Sequence, residues 1–384
     1  MTTGPAQTGR ATFDIGDIVR AHRAQLEAQH PLTSAQKRVL TDIAQCRTAA
    51  LGGHVDHCTS CGYERPSYNS CRNRHCPKCQ ALAQERWIEQ RAERLLDVGH
   101  FHVVFTLPSE LRALAKCAPR EVFNALFRAT SETLLELGKT RLRATLGATL
   151  VLHTWKRDLG FHPHIHAIVT SGGLNLDGQS FRRSDRRYLF PVKVMGKLLR
   201  GKLLALLSAA YAAGRFNHVV AFGDPRAFGL LVAKLAKLCW NVYAKAPFGT
   251  SKHVLAYLGR YTHRVGIANS RLLEVTDERV VFRTRGNAIA SFHPVEFLRR
   301  FVQHVLPDGF HKIRHIGLYA SPRRDAAHEL LGMSPSAPKP RVSWEQKLLE
   351  LTGRDVRHCP LCGAPMLRGP LLPAARAPPR EIAA

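Results

Sequence analysis

Two Cys-x-x-Cys pairs near the amino terminus constrain the fold of this chain more than any other feature. The stretch CTSCGYERPSYNSCRNRHCPKC begins at Cys58, ends at Cys79 and places fourteen residues between the two pairs. Each pair predicts a tight knuckle whose thiolates converge, and two knuckles complete a closed tetrahedral zinc site. Such a site has no open coordination position, so it is predicted to be structural. The four predicted ligands are Cys58, Cys61, Cys76 and Cys79.

Other potential metal ligands lie in or beside this cluster. One set of four, in which Cys71 and His75 are one helical turn apart, forms either a second zinc site or ordinary core and supporting residues. Arg72 and Arg74, between these ligands, favour a surface that faces phosphates. Far along the chain, Cys359 and Cys362 form another Cys-x-x-Cys pair, which is half a metal site. The set of four is Cys46, His54, Cys71 and His75.

The balance of charge predicts the partner. Lysine and arginine total 56 against 29 aspartate and glutamate residues, which gives a formal charge of +27. A surface this positive attracts polyanions, so nucleic acid is the expected partner, and a small-molecule substrate would leave the charge unexplained. The hydrophobic fraction of 45% is enough for a buried core and excludes disorder of the whole chain.

The cellular location is predicted from the absence of two sequence features, a membrane-spanning segment and a secretion signal. No run of apolar residues is long enough to cross a membrane, and the first residues contain no apolar segment typical of a secretion signal. Clustered cysteines in a chain that is not exported favour reduced thiols and metal binding. We therefore expect a cytoplasmic protein that is not associated with a membrane. The isolated Cys117 and Cys239 lie among apolar neighbours and are predicted to be core residues.

The order of predicted elements indicates an α+β fold. Strand-like and helical stretches alternate, but short turns between strands favour antiparallel pairs over a doubly wound parallel sheet. One such pair joins ATLVLHTW to FHPHIHAIV across the turn KRDLG. The predicted organisation is a helical segment at 1–45, a zinc-binding domain at 46–98, a catalytic domain at 99–324, and a partly disordered tail at 325–384 that contains the distal Cys-x-x-Cys pair.

The stretch FHPHIHAIV carries three histidines at alternate positions. On a strand, His164 and His166 point to the same face while their neighbours point into the core. Two imidazoles on a rigid strand can hold a divalent cation, and His153 on the preceding strand is the candidate third ligand. His162 is second choice because it is nearer the turn and precedes Pro163. The alternative is a group of surface or hydrogen-bonded histidines with no cation.

Two tyrosines lie in the stretch VLAYLGRYTHRVGIANSR. Tyr257 and Tyr261 are four residues apart on a predicted helix, so both hydroxyls emerge from one face. Arg260 and Arg264 repeat that spacing on an adjacent face and are candidates for DNA contacts. Phosphodiester chemistry at a metal needs a nucleophile, and these phenols supply one or two. The alternative is that the tyrosines are core residues beside the leucine and valines of the same face.

Several motifs together resemble one family. The stretches HPHIHAIV, YLGRYTHRVGIANSR, CGYERPSYNSCRNRHCPKCQ, FHVVFTLPSELR and FVQHVLPDGFHKIRHIGLY are similar to rolling-circle transposases of the insertion-sequence 91 group. These are HUH (His–hydrophobe–His) nucleases with an amino-terminal zinc-binding domain. The resemblance implies an HUH-like antiparallel sheet, with His164 and His166 as metal ligands and Tyr257 and Tyr261 as nucleophiles. His153 matches the third histidine of related relaxases.

The resemblance also implies an activity. The expected enzyme is a metal-dependent tyrosine strand transferase that nicks and rejoins single-stranded DNA through 5′-phosphotyrosine links. Its cofactors would be structural Zn²⁺ and catalytic Mg²⁺ or Mn²⁺, and its partners the single-stranded ends of the mobile element and the target DNA. One alternative is a plasmid replication initiator or relaxase with the same chemistry. Another is a non-catalytic, zinc-dependent DNA-binding regulator, in which the histidines and tyrosines are structural.

Overall fold

A computed structural model describes residues 13–79, 81–92, 94–185, 187–248, 266–333 and 342–374. The helices are, in chain order, α1 (Ile15–Gln29), α2 (Ser34–Gln45), α3 (Ala81–Ala92), α4 (Arg112–Cys117), α5 (Pro119–Leu137), α6 (Val192–Ala212), α7 (Pro225–Lys237), α8 (Pro294–Val302), α9 (Arg323–Leu330) and α10 (Trp344–Thr352). The strands are β1 (Gly53–Cys58), β2 (Glu64–Tyr68), β3 (His100–Thr106), β4 (Ala144–Trp155), β5 (Phe161–Asn175), β6 (Phe181–Arg183), β7 (Val242–Phe248), β8 (Leu272–Val275), β9 (Val280–Arg283), β10 (Ile289–Phe292), β11 (Ile313–Gly317) and β12 (Met366–Leu372). Within these ranges, no helix combines the length and apolar character needed to span a membrane.

The central sheet has the strand order β11-β4-β5-β3-β7, and β6 pairs with β5. Every neighbouring pair in it is antiparallel. The predicted pairing of β4 with β5 is confirmed, and it places His153 opposite His164. The prediction of an α+β fold with an antiparallel sheet flanked by helices is therefore confirmed.

The two faces of the central sheet differ in chemistry. Ile165, Ala167 and Val169 of β5 are fully buried in a core that also contains the apolar residues of α5 and α6. His164 and His166 point to the opposite face because successive side chains of a strand alternate. Burial of each large apolar side chain contributes about 1.5–3 kcal/mol, so the apolar face fixes the register. A slip of one residue would turn the histidines into the core.

A second core joins the amino-terminal helices to later parts of the chain. Leu40 of α2 packs in one buried cluster with Phe282 of β9 and Phe301 of α8. Leu159, in the turn between β4 and β5, is buried in the same cluster, and its backbone has a positive φ angle of 61°. This turn is therefore anchored at the end of the sheet that carries His153 and His164.

The part of the predicted carboxy-terminal tail that the structure describes is folded. Strand β12 pairs with β1, so that Gly53 lies opposite Leu372 and Cys58 opposite Met366. With β2 on the other side of β1, the three strands form a sheet in the order β12-β1-β2. Predicted disorder therefore does not extend to 366–372. These residues have no apolar pattern of their own, and the unpaired edge of β1 supplies their hydrogen-bond partners.

Two cysteines outside the clusters lie at the surface and not in the core, where they were predicted. Cys117 and Cys239 are exposed, although their sequence neighbours are apolar. Cys117 ends α4, and Cys239 follows the end of α7, so neither lies inside a packed element. The prediction that both are core residues is wrong.

His304 is a fully buried histidine that should make folding sensitive to acid. Its Nδ1 lies 3.2 Å from Thr154 Oγ1, and its Nε2 lies 3.1 Å from the carbonyl of Leu159. Burial lowers the pKa of His304 from 6.5 to about 4. Between these values the unfolded chain binds a proton that the folded protein excludes, so stability decreases as the pH decreases.

We expect His304 alone to lower the free energy of unfolding by about 2 kcal/mol between about pH 7 and about pH 5. Urea unfolding of the wild type and of His304→Gln over this range measures the contribution. The variant should show a shallower dependence on pH whatever its absolute stability. Equal slopes for the two proteins would contradict the assignment.

Candidate metal centres

Three histidines converge on the polar face of the central sheet. The ring nitrogens that His153, His164 and His166 can offer to a metal lie within 4.8 Å of one another. The Nε2 atoms of His164 and His166 are 3.0 Å apart. Two nitrogen ligands about 2.1 Å from a common ion and at a right angle would have this separation. The three imidazoles therefore fit one divalent cation.

Hydrogen bonds to the outer ring nitrogens orient two of these rings. Nδ1–H of His164 donates to the carbonyl of His162 over 2.7 Å, which leaves the lone pair on Nε2. Nδ1 of His166 lies 2.8 Å from Nε2 of His102. When His166 donates in that bond, its Nε2 also carries a lone pair directed at the cluster. Metal-binding histidines commonly have such a partner on the second nitrogen.

Burial keeps these imidazoles in the neutral form that binds metal. It lowers the pKa of His164, and it lowers the pKa of His166 well below 6.5, with His164 and His102 adding charge repulsion. Burial, with smaller effects from Lys245 and His164, lowers the pKa of His102 to about 4. A neutral imidazole is the form that binds a metal ion, so the site does not need to lose protons at neutral pH.

The remaining histidine of the motif, His162, does not join the cluster. Its Nδ1 lies 3.2 Å from a guanidinium nitrogen of Arg112. Its backbone carbonyl accepts the hydrogen bond from His164, and its ring packs against that of His164 with 5.3 Å between the ring centres. His153 instead occupies the third position, and its ring stacks on Trp155 with 4.6 Å between the ring centres.

His102 is a residue of this site that the sequence analysis missed. It lies on β3, which pairs with β5, and its ring stacks on that of His166 with 5.0 Å between centres. The available signal was its position: His102 alternates with the buried Phe101 and Val103, so it faces away from the core. His100 and His102 repeat the His–hydrophobe–His pattern on β3, but only the sheet order places His102 beside His166.

We expect His102→Ala to weaken Mn²⁺ binding by about 10- to 100-fold, because the buried Nδ1 of His166 loses its partner and its ring loses its orientation. Isothermal titration with Mn²⁺ measures the change. His102→Gln keeps a hydrogen-bonding group and should recover part of the affinity. Unchanged affinity in the alanine variant would show that His102 does not position the ligand.

The two candidate nucleophiles lie outside the described residues. Tyr257, Tyr261, Arg260 and Arg264 all belong to 249–265, so their predicted roles stay predictions. The described chain stops at Phe248 and resumes at Gly266, which has a φ angle of 71°.

The structure groups eight of the ten cysteines into two clusters that differ from the predicted sets. Cys58 and Cys61 lie with the distal pair, and all four sulfur atoms are within 4.8 Å of one another. The predicted set of Cys58, Cys61, Cys76 and Cys79 is therefore split between two clusters. The reason is that the pairing of β1 with β12 brings the distal knuckle to the first one. The two clusters are Cys46, Cys71, Cys76 and Cys79, and Cys58, Cys61, Cys359 and Cys362.

Of the four residues in the predicted second zinc site, only the two cysteines lie in one metal-binding cluster. Cys46 and Cys71 join a four-cysteine cluster, but the two histidines do not. His54 Nε2 lies 3.2 Å from a carboxylate oxygen of Asp56. His75 lies beside the cluster, where its Nδ1 is 3.0 Å from Asn73 Oδ1. Burial, with smaller effects from nearby positive groups, lowers the pKa of His75 to about 3.

The two arginines of the cluster differ in exposure. Arg72 is exposed, with a φ angle of 53°. Arg74 is partly buried and donates a hydrogen bond of 2.7 Å to the carbonyl of Phe310. Arg74 therefore ties the cysteine cluster to the chain after α8, and phosphate binding by either arginine stays a prediction.

Comparison with known proteins identifies the class of protein. The family model described as "Transposase zinc-binding domain" matches residues 18–107, and the one described as "Putative transposase" matches residues 147–326. The chain belongs to the insertion-sequence 91 family of transposases with an amino-terminal zinc-binding domain. DNA is accordingly its partner, and the cysteine clusters support structural zinc.

Two curated relatives cover nearly the whole chain. The "Putative transposase y4qJ" of Sinorhizobium fredii (strain NBRC 101917 / NGR234) is 41% identical over 372 residues, which are 92% of this chain and 94% of that protein. The "Transposase for insertion sequence element IS801" of Pseudomonas savastanoi pv. phaseolicola is 29% identical over 365 residues, 90% of this chain and 86% of that one. No solved structure matches.

Proposed function

We propose that this transposase nicks and rejoins single-stranded DNA through 5′-phosphotyrosine links to Tyr257 and Tyr261, during rolling-circle transposition of an insertion sequence. The observation that carries the proposal is the convergence of three histidines on the polar face of the sheet. His153, His164 and His166 would hold Mg²⁺ or Mn²⁺. When bound, the cation would polarise the non-bridging oxygens of the scissile phosphate.

The covalent step conserves the phosphodiester bond. The tyrosine hydroxyl loses its proton and attacks phosphorus, the bond to the 3′ oxygen breaks, and that oxygen takes up a proton. The DNA is then joined to the protein through its 5′ phosphate. A 3′ hydroxyl that attacks this link releases the tyrosine and restores a DNA strand without ATP. Two tyrosines allow one DNA end to be held while a second strand is cut.

The described ends of the tyrosine segment support this proposal. Phe248 pairs with His100 at one end of β3, whereas Thr106, at the other end, pairs with His164. Gly266 lies against Leu159 in the turn that follows His153 on β4. The described chain thus stops at the far end of the sheet and resumes beside the turn that follows β4.

The zinc-binding domain is proposed to bind the DNA ends of the element. Cys46, Cys71, Cys76 and Cys79 are assigned to its structural zinc, because Cys46 and Cys76 are also buried in the second core. Exposed Arg72 within this cluster would contact phosphate. Binding to chromosomal DNA would place the protein at the nucleoid in the cytoplasm.

A covalent adduct distinguishes the proposal from its main alternative. A DNA-binding regulator of the same fold forms no adduct, whereas the proposed enzyme links to a labelled oligonucleotide from the end of its element when Mn²⁺ is present. A denaturing gel separates the two outcomes. A replication initiator would form the same adduct but would not move a marked element to a new DNA molecule in a transposition assay.

A further inference from the structure

We propose that Cys58, Cys61, Cys359 and Cys362 form a second zinc site, which fastens the carboxy-terminal segment to the amino-terminal domain. The zinc-binding family match ends at residue 107 and the transposase match ends at residue 326, so neither includes the distal pair. The ion is Zn²⁺ in a closed site of four thiolates, and its role is structural.

The sulfur positions match such a site. Cys58 Sγ lies 3.4 Å from Cys362 Sγ, and Cys61 Sγ lies 3.6 Å from Cys359 Sγ. Four thiolates bound tetrahedrally to zinc at about 2.3 Å are about 3.8 Å apart, which is close to both distances. No histidine or carboxylate joins the group among the described residues. The donor set is that of a structural zinc ion.

The two knuckles have the same local structure. In both, a glycine with positive φ follows the second cysteine: Gly62 at 71° and Gly363 at 73°. Gly62 N–H donates to the carbonyl of Cys58 over 3.1 Å, and Gly363 N–H donates to that of Cys359 over 2.9 Å. The backbone N–H of the first cysteine in each pair donates a hydrogen bond to the carbonyl of the residue five positions later, over 2.9 Å for Cys58 and 2.8 Å for Cys359. Such repetition is typical of paired zinc knuckles.

Contacts outside the knuckles bring the two ends of the chain into register. β12 continues from the distal knuckle and pairs along β1, which leads into the first knuckle. Arg65 of β2 donates a hydrogen bond of 2.8 Å to the carbonyl of Val356, just before the distal knuckle. Lys347 of α10 forms an ion pair with Glu89 of α3. The cluster is therefore positioned by a docked segment and not by four cysteines alone.

The proposed ion would link residues about 300 positions apart in sequence. A cross-link that closes so long a loop removes much conformational freedom from the unfolded chain and so stabilises the folded one. The segment around β12 has little buried apolar surface that could provide the same stabilisation. Zinc would accordingly add a second attachment to the pairing of β12 with β1. Removal of either knuckle should lose the same ion.

Counting zinc tests this inference. The full-length protein is saturated with zinc, desalted and analysed by mass spectrometry of the metal. We expect two cysteine-bound zinc ions per wild-type chain, counted after subtraction of any ion that the His164→Ala variant loses. The double variant Cys359→Ser, Cys362→Ser should retain one, and so should Cys58→Ser, Cys61→Ser. The variant with all four replacements should also retain one, because both pairs bind the same ion.

Matched controls separate ligand loss from general damage. Leu361→Ser changes an exposed residue inside the distal knuckle, and Cys117→Ser with Cys239→Ser removes two exposed thiols elsewhere. Both should keep two zinc ions. In the metal-free wild type, cobalt should give tetrahedral thiolate absorption up to two equivalents, a result that does not depend on the variants folding. One zinc in the wild type, saturation at one equivalent of cobalt, or two zinc ions in the Cys359→Ser, Cys362→Ser variant would overturn the proposal.

Discussion

The variant His164→Ala is expected to lower the rate of DNA strand cleavage by about 1,000-fold, which corresponds to roughly 4 kcal/mol of transition-state stabilisation. His164 contributes Nε2 to the cluster, where it lies 3.0 Å from His166 Nε2. Loss of this ligand leaves two imidazoles, too few to fix a cation against a scissile phosphate. Single-turnover cleavage of a labelled oligonucleotide with Mn²⁺ measures the rate.

The matched control is His162→Ala, two residues earlier on the same strand. Its side chain lies outside the cluster, and its backbone carbonyl, which orients His164, is unchanged by the substitution. Cleavage by this variant should stay within about threefold of wild type, a difference of under 1 kcal/mol. Both variants should bind the oligonucleotide as the wild type does. A larger loss in His162→Ala than in His164→Ala would show that the wrong histidines have been assigned to the cation.

Replacing both Tyr257 and Tyr261 by phenylalanine is expected to abolish the covalent adduct with DNA. Phenylalanine keeps the size of the ring but has no hydroxyl, so it cannot attack phosphorus. Each single variant should still form adduct with one of the two possible substrates if the tyrosines act in turn. Denaturing electrophoresis of the reaction with labelled DNA and Mn²⁺ measures the adduct, and mass spectrometry of the linked peptide identifies the tyrosine.

Tyr243 provides a demanding control for this prediction. It lies on β7 opposite Val104, and Val104 lies opposite His166, so Tyr243 shares the polar face with the histidines. Tyr243 is 60% exposed, and the strand spacing puts it about 10 Å from His166. Tyr243→Phe should form normal amounts of adduct. Adduct that persists in the double variant and disappears in Tyr243→Phe would transfer the role of nucleophile to Tyr243.

The sheet and its histidines could be predicted because their signals are local. Alternation of apolar and polar residues fixes which face of β5 carries His164, and the short turn before Phe161 fixes β4 as its partner. His153 then lies opposite His164 without further information. His102 could not be predicted as part of the site, because its position depends on β3 lying next to β5 and not on its own neighbours in sequence.

The cysteine clusters show the limit of the same reasoning. A Cys-x-x-Cys pair predicts a knuckle, but its spacing does not say which other knuckle completes the site. Nearness in sequence favoured the pairing of Cys58 and Cys61 with Cys76 and Cys79. The first pair instead meets cysteines about 300 residues away, because β12 occupies the edge of β1. The second pair meets Cys46, which directly follows α2 and is buried in the second core.

The most direct test of the account is a crystal structure of the Tyr257→Phe, Tyr261→Phe variant with Mn²⁺ and an uncleaved oligonucleotide, using the anomalous signal of manganese. We expect one peak bound by His153, His164 and His166, with a phosphate oxygen of the DNA as a further ligand. We also expect the ring at position 257 or 261 to face that phosphate in line with its 3′ oxygen. An absent peak, or both rings far from the bound phosphate, would contradict it.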